Sequence, residues 1–198
     1  MVEQGERNDT KMKSKAIIVI LSVLLVFSLA ANAIMIFRIY RELTRPSYVD
    51  GFNQEEAVYT EDLAPDFSVP LLTGENFTLS EHRGTVVVLD FWATWCGPCV
   101  RKMPAIQTLS EEFGDSVIFV GMNVGEELDD VQTFISERGF TYPIGLDEGG
   151  NIHRRLFPSP GIPYTVIIGA DGTIFDAFLG GGDSIVALIE IAILEALG

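Results

Sequence analysis

Apolar positions along this chain change period several times, and each change marks an element. Residues 16–37 read AIIVILSVLLVFSLAANAIMIF, 22 positions without a charge, and about 20 apolar residues suffice for a helix to cross the hydrocarbon core of a bilayer. One membrane-spanning helix is therefore expected there, with residues 1–15 ahead of it. Residues 38–63 sustain no period and hold Pro46, Gly51 and several acids, so they read as a linker. From residue 64 to residue 198 the pattern becomes regular. Residues 66–72 and 76–79 are two short strands separated by Thr73-Gly74. Residues 85–92 form a continuous apolar run, the mark of a strand buried on both faces. A helix over 98–113 and an apolar strand over 117–124 follow. Residues 127–138 carry Leu128, Val131, Phe134 and Ile135 at helical spacing. Further strands are expected at 143–146, 165–169 and 174–178, the last two around Asp171-Gly172, and an apolar helix at 184–197 closes the chain. Strands and helices alternate and then end in paired strands, which predicts an α/β domain around a central mixed sheet.

Charge changes the picture of where this domain works. Lys11, Lys13 and Lys15 precede the apolar segment and favour a cytoplasmic N-terminus, while Arg38, Arg41 and Arg45 follow it and weaken the bias. Ala31-Asn32-Ala33 resembles a small-residue cleavage site, so a removed signal peptide competes with an uncleaved anchor. Ile34-Met35-Ile36-Phe37 continues the apolar run past that cut, which suits the anchor. Both readings place the rest of the chain outside the cytoplasm, and the anchor makes it a single-pass protein of the cell membrane. Residues 46–198 hold six Lys or Arg against 24 Asp or Glu, a formal charge of −18. Such a domain repels phosphate backbones, so nucleic acid is not an expected partner.

The chain has two cysteines, in Cys96-Gly97-Pro98-Cys99, where the apolar strand meets the helix. A strand that delivers a C-x-x-C pair onto a helix start is the usual setting of a redox dithiol. The pair supplies only two of the four ligands a structural zinc needs. His82 and His153 belong to no ligand cluster and read as surface residues, so no metal is expected, and no cofactor beyond the dithiol. Val100 after Cys99 excludes the C-x-x-C-H form of haem attachment. A purely structural bridge across so short a loop would remove little unfolded-state entropy. Cys96 should lie at the helix N-terminus, where unpaired N–H groups and the helix dipole stabilise a thiolate. It would attack a substrate disulfide, and Cys99 would resolve the mixed disulfide. Pro98 fits the first helical turn, and Pro104 is expected to kink the helix. Asp90 lies within Val-Val-Val-Leu-Asp-Phe-Trp, where an ionised carboxylate is expensive to bury. Two readings stay open for it: a buried acid that moves protons to or from Cys99, or a strand-end carboxylate that reaches solvent. Trp95 is expected in the surface around Cys96 and Trp92 in the core.

The run Asp90-Phe-Trp-Ala-Thr-Trp-Cys-Gly-Pro-Cys99, with Ala64-Pro-Asp-Phe67 before it and Gly161-Ile-Pro-Tyr-Thr165 after it, resembles the membrane-anchored TlpA/ResA-like branch of the thioredoxin superfamily over about residues 64–182. The resemblance implies a thioredoxin fold with an N-terminal β-hairpin and a helix-strand insertion at about 126–146. It implies that Pro163 is cis and faces the dithiol, that the Ile162 backbone pairs an extended substrate, and that Trp95, Gly97 and Pro98 border the same groove. It makes Asp90 the buried acid. Glu126 matches an acidic position of the branch and is a candidate for tuning the site, against a plain reading as a solvated acid at a helix start. Met103 stands early in the helix where relatives often carry Glu, and Ile162 where many carry Thr. The Gly-Pro pair resembles that of thioredoxin, with a potential of about −270 mV, which points to a reductant. Protein disulfides are the implied substrates, with apocytochrome c and cytochrome c maturation among them, and a membrane electron donor is the implied source of reducing power. Two other classes remain. One is a thiol peroxidase, since peroxiredoxins share the Ala-Pro-Asp-Phe opening, although Ala93 breaks their T-x-x-C arrangement. The other is a non-catalytic module that binds a metal or a partner. Residues 185–197 are too short to span a bilayer and include Glu190 and Glu195, so they are expected to cover the sheet.

Overall fold

The computed structural model describes residues 63–198. The N-terminal segment 1–15, the expected span at 16–37 and the linker up to residue 62 lie outside the described residues. Among the described residues no helix is long and apolar enough to cross a membrane.

Strands β1 (Ser68–Pro70) and β2 (Asn76–Thr78) pair antiparallel as a separate hairpin, whose tight turn places Gly74 at φ 86°. Then come β3 (Val86–Trp92), α1 (Gly97–Phe113), β4 (Val117–Val124), α2 (Leu128–Arg138) and β5 (Ile144–Asp147). The chain ends with β6 (Tyr164–Ile168), β7 (Ile174–Leu179) and α3 (Asp183–Leu197). The five-stranded sheet has the order β5-β4-β3-β6-β7. β3, β4 and β5 run parallel, and β6 and β7 are antiparallel to their neighbours. This is the thioredoxin-like arrangement expected, with α2 and β5 as the insertion at one edge.

Alternation along β3 explains the layering. Val86, Val88 and Trp92 face one apolar cluster with α1, α2 and α3; Val87, Leu89 and Phe91 face a second with Phe67, Val69 and Phe77 of the hairpin region. With both faces covered, all seven residues of β3 are buried, including the one charged residue, Asp90. The closing helix turns Ile189, Ala192 and Ile193 to the first cluster and so covers the sheet. The strand and helix limits differ from expectation by one or two residues. α1 begins at Gly97 rather than Pro98 because Cys96 itself caps the helix, and β5 runs on to Asp147, which pairs with Val124. A π-helical turn at Ile152–Leu156 carries no signal in the apolar pattern. His153 lies within it and is buried, contrary to its reading as a surface residue; it packs against Phe91 and Tyr164. His82 stacks on Phe77.

Candidate active site

Cys96 and Cys99 are joined as a disulfide at the start of α1. Cys96 is the N-cap, and its Sγ accepts the Cys99 N–H at 3.3 Å, while Pro98 occupies the first turn, where a missing N–H breaks no helical bond. A Cys96 thiolate formed here keeps that donor and the positive end of the helix. Cys96 is only 5 % exposed, less open than a freely exposed nucleophile, and Cys99 is wholly buried. Trp95, 71 % exposed, and the exposed Gly97 and Pro98 flank Cys96 along the chain, whereas Trp92 is in the core. Pro104 lies inside α1, and its carbonyl accepts from Thr108 Oγ1.

Opposite the motif, the Ile162-Pro163 bond is cis and the Ile162 carbonyl oxygen stands 3.7 Å from Cys96 Sγ. Pro163 is buried; its carbonyl accepts from Gly180 N–H at 2.8 Å. Gly181 packs against both halves of the site, so that a β-carbon there would approach the Pro98 carbonyl oxygen to 2.8 Å and Pro163 Cγ to 2.9 Å. The segment ahead of Pro163 is braced from behind: Ser159 Oγ donates to the Gly161 carbonyl at 2.7 Å, and His153 Nε2 lies 2.9 Å from Ser159 Oγ. With the serine proton committed to Gly161, Nε2–H is the donor to Ser159. Burial lowers the His153 pKa; the Asp147 carboxylate opposes this and the Arg154 cation adds to it. Asp147 accepts the Ile152 and His153 N–H groups and ties down the π-helical turn.

Beneath the motif lies a polar cluster that the sequence reading only half contains. Asp90 is 1 % exposed, so it does not reach solvent at its strand end; its Oδ1 accepts from Lys102 Nζ at 2.6 Å and from Thr165 Oγ1 at 2.9 Å. Lys102 is itself 2 % exposed, and its Nζ also donates to Thr165 Oγ1 at 2.8 Å. The acid is therefore buried as half of an ion pair, not as a lone carboxyl among apolar side chains. Three residues on from Cys99 stands Lys102. That lysine, and not the core residue Met103, is the early helical position that bears on Asp90. Tyr142, also buried, has its pKa raised well above the ordinary phenol value, first by burial and then by the Asp90 charge. Tyr164, next to Pro163, is pushed up to about 12 by burial. Both phenols remain neutral at physiological pH.

Glu126 precedes α2 rather than opening it. Its carboxylate accepts from Thr94 N–H at 2.7 Å, from Thr94 Oγ1 and from Asn123 Nδ2 at 2.7 Å. It therefore ties the loop leading to Trp95 and Cys96 to the end of β4, which the reading as a solvated helix-start acid does not include. Among the described residues no group of three metal-binding side chains occurs. The structure brings Cys96, bonded to Cys99, up to the Ile162 carbonyl and sets Pro98 and Pro163 on either side of Gly181, next to the exposed Trp95 and Gly97; Asp90 is paired with Lys102 of α1, and Glu126 holds Thr94 in the loop before the motif. Lys102, Thr165, Gly181 and Thr94 complete the arrangement. A signal for Lys102 exists in the spacing Cys99, Lys102, Met103, Ile106, which falls on the core face of α1.

Residues 60–177 match the model of the AhpC/TSA family. Over 134 residues the chain is 34 % identical to the thiol-disulfide oxidoreductase ResA of Geobacillus kaustophilus, covering 67 % of this chain and 76 % of that protein. It is similar in structure to a protein described as a thiol:disulfide interchange protein DsbE from Chlorobium tepidum, with TM-score 0.67 and 30 % identity over 72 % of this chain and all of that one. A protein described as a disulfide isomerase from Bacteroides thetaiotaomicron matches with TM-score 0.66 and 34 % identity over 71 % of this chain and 91 % of its own.

Proposed function

The chain belongs to the AhpC/TSA family and is a thiol-disulfide oxidoreductase of the ResA/DsbE type, and from that premise we propose that it reduces protein disulfides outside the cytoplasm, anchored by residues 16–37. The observation that carries the reading is the Cys96–Cys99 pair at the first turn of α1, with Cys96 as N-cap facing the Ile162 carbonyl. In the reduced protein the Cys96 thiolate attacks a substrate disulfide; a protein–substrate S–S bond forms and the first substrate thiol leaves. Cys99 loses its proton to the Asp90 carboxylate and attacks Cys96, and the second substrate thiol leaves. Two electrons pass to the substrate and the dithiol becomes the disulfide. The Ile162 backbone and the Trp95, Gly97 and Pro98 surface hold an extended substrate segment beside Cys96, shaped by Pro163. Glu126 tunes the site by fixing the approach of the motif loop.

The apolar segment and the acidic domain support the extracytoplasmic placement, and the ResA likeness supports apocytochrome c as a substrate and a membrane donor as the source of electrons. No further cofactor or metal is required. The family also invites a peroxidase reading, but a dithiol within one helical turn and Ala93 in place of the peroxiredoxin threonine favour disulfide exchange. Cys99→Ser protein, expressed in its own membrane, is the test. It should capture substrates through Cys96 as mixed disulfides that mass spectrometry identifies, whereas Cys96→Ser should capture none and exchange nothing. Capture of an apocytochrome c would establish the maturation role; a spread of secreted proteins would establish a general reductase. Undiminished exchange by the Cys96→Ser protein would overturn the assignment.

A further inference from the structure

Residues 158–162 lead into Pro163 with little main chain to hold them. Pro158, Pro160 and Pro163 have no N–H to donate, and among the described residues no backbone–backbone hydrogen bond reaches residues 158–162. Side chains supply the hold instead. Ser159 Oγ donates to the Gly161 carbonyl at 2.7 Å and stands 2.9 Å from His153 Nε2. A hydroxyl has one proton and spends it on Gly161, so the ring donates to it from Nε2, in its neutral and protonated forms alike. Donation therefore runs from His153 to Ser159 to Gly161. His153 is buried and is placed by three strands. Its ring packs against Phe91 of β3 at 5.2 Å and Tyr164 of β6 at 6.4 Å, and its N–H is held at 2.9 Å by Asp147, the last residue of β5. A polar ring is costly to bury in such a pocket unless it is hydrogen-bonded, and the bond it makes is to the loop.

The peptide unit at the end of this relay decides what it does. The Gly161–Ile162 bond is trans, the cis bond being the next one, so the Gly161 carbonyl and the Ile162 N–H lie in one plane and point in opposite directions. With the carbonyl tied to Ser159, the Ile162 N–H is turned away from Ser159. On the other side of the same residue, the Ile162 carbonyl oxygen faces Cys96 Sγ at 3.7 Å. We propose that His153 and Ser159 are positioning residues for substrate docking: the relay fixes the Gly161–Ile162 peptide plane, and with it the donor and acceptor that Ile162 presents to an extended, disulfide-bearing peptide segment beside Cys96. The inference rests on the reading of the Ile162 backbone as the edge that pairs the substrate. No proton or electron passes along the relay. It keeps the loop in its pairing geometry before the substrate arrives, so that binding does not have to order it. A disulfide with no peptide backbone to pair gains nothing from it.

The test compares two substrates of the full-length protein. One is a pair of short extended peptides joined by a disulfide, turned over with dithiothreitol as the recycling reductant; the other is 5,5′-dithiobis(2-nitrobenzoate), which has no backbone, reduced in a single turnover. His153→Leu and Ser159→Ala should each raise KM for the peptide disulfide about three- to tenfold, the loss expected for one hydrogen bond. Both should leave kcat and the rate with the aromatic disulfide within about twofold of wild type. The double variant should be no worse than the more affected single one, because both changes cut the same relay. His153→Gln, whose amide can donate to Ser159, should restore KM. Ser159→Ala carries the test if the leucine variant does not fold. An unchanged KM in Ser159→Ala overturns the proposal. So does an equal fall in rate with both substrates, which marks a general structural loss, or effects that multiply in the double variant. A peptide disulfide N-methylated at the residues beside its cysteines separates the two readings. If wild type reduces it as well as the unmethylated one, the pairing role of Ile162 fails. If wild type discriminates while the relay variants keep their KM, only the role of His153 and Ser159 fails.

Discussion

Gly181 and Pro163 touch with no room for a side chain between them. A β-carbon at residue 181 would stand 2.9 Å from Pro163 Cγ and 2.8 Å from the Pro98 carbonyl oxygen, so one glycine sets the spacing between the motif and the cis-proline segment. A ring and a main-chain carbonyl cannot swing aside as the end of a flexible side chain can.

Gly181→Ala is therefore expected to displace the two walls of the groove relative to each other. Overpacking of this kind costs about 1–3 kcal/mol of stability, and a displacement below 1 Å at reacting groups costs about tenfold in rate. Urea unfolding and insulin reduction measure the two effects. Gly182→Ala is the control: nothing lies within 4 Å of its added carbon, and exchange should stay within about twofold of wild type.

Glu126 makes a second prediction through Thr94. Its carboxylate satisfies the Thr94 N–H, the Thr94 hydroxyl and Asn123 Nδ2. Glu126→Ala leaves these donors without their acceptor in a partly buried site, which costs about 1–3 kcal/mol. The loop carrying Trp95 and Cys96 should loosen with it, seen as faster amide exchange at residues 93–96 and slower disulfide reduction. Glu126→Gln should fall between, because its one amide oxygen replaces two carboxylate oxygens. Amide exchange unchanged in the alanine variant would show that the loop is held by other contacts.

The sheet and the dithiol are legible in the sequence because both rest on local signals. The unbroken apolar run at 85–92 marks a central strand, and Cys96-Gly97-Pro98-Cys99 at its junction with a helix marks the chemistry. What escapes are long-range pairings. Lys102 reads as an ordinary solvated lysine until its spacing from Cys99 is set against an acid in a fully buried strand, and nothing local joins residues 90, 102 and 165. Gly181 sits in a run of three glycines, and which of them meets Pro98 depends on how β7 passes into α3. The stretch 148–162 has no apolar period, so the burial of His153 depends on Asp147 capping a π-helical turn. Glu126 reads as a helix start because α2 begins two residues later, while its carboxylate points back to a loop 32 residues away in sequence.

His153 makes stability depend on pH in a defined direction. Burial holds its pKa in the folded protein below the unfolded value of about 6.5. Above about pH 6.5 both states leave the ring neutral and the brace to Ser159 contributes fully. As pH falls through that value the unfolded chain takes up a proton more readily than the folded one, so stability drops until the folded ring protonates as well. Thermal melting followed from pH 7.5 to pH 5 should show this decline in wild type and a flatter one in His153→Gln. Equal slopes in the two proteins would remove His153 as the cause.

The Asp90–Lys102 pair allows stability and function to be pulled apart. Removing one partner leaves an uncompensated buried charge, so Lys102→Met or Asp90→Leu alone should cost about 3–5 kcal/mol. Replacing the whole cluster by apolar groups of similar volume leaves nothing to compensate. Asp90→Leu with Lys102→Met and Thr165→Val is therefore expected to unfold in urea within about 1 kcal/mol of wild type, or to be more stable. If the cluster existed to hold the fold, such a protein would also exchange disulfides normally. The expected result is the opposite. Cys96, still the N-cap of α1, should form mixed disulfides at the wild-type rate, while resolution by Cys99 near neutral pH slows because its proton has lost its acceptor. Stopped-flow mixing with a chromogenic disulfide separates the two steps. A stable triple variant with an unchanged second step would show that the buried charges serve neither stability nor proton transfer.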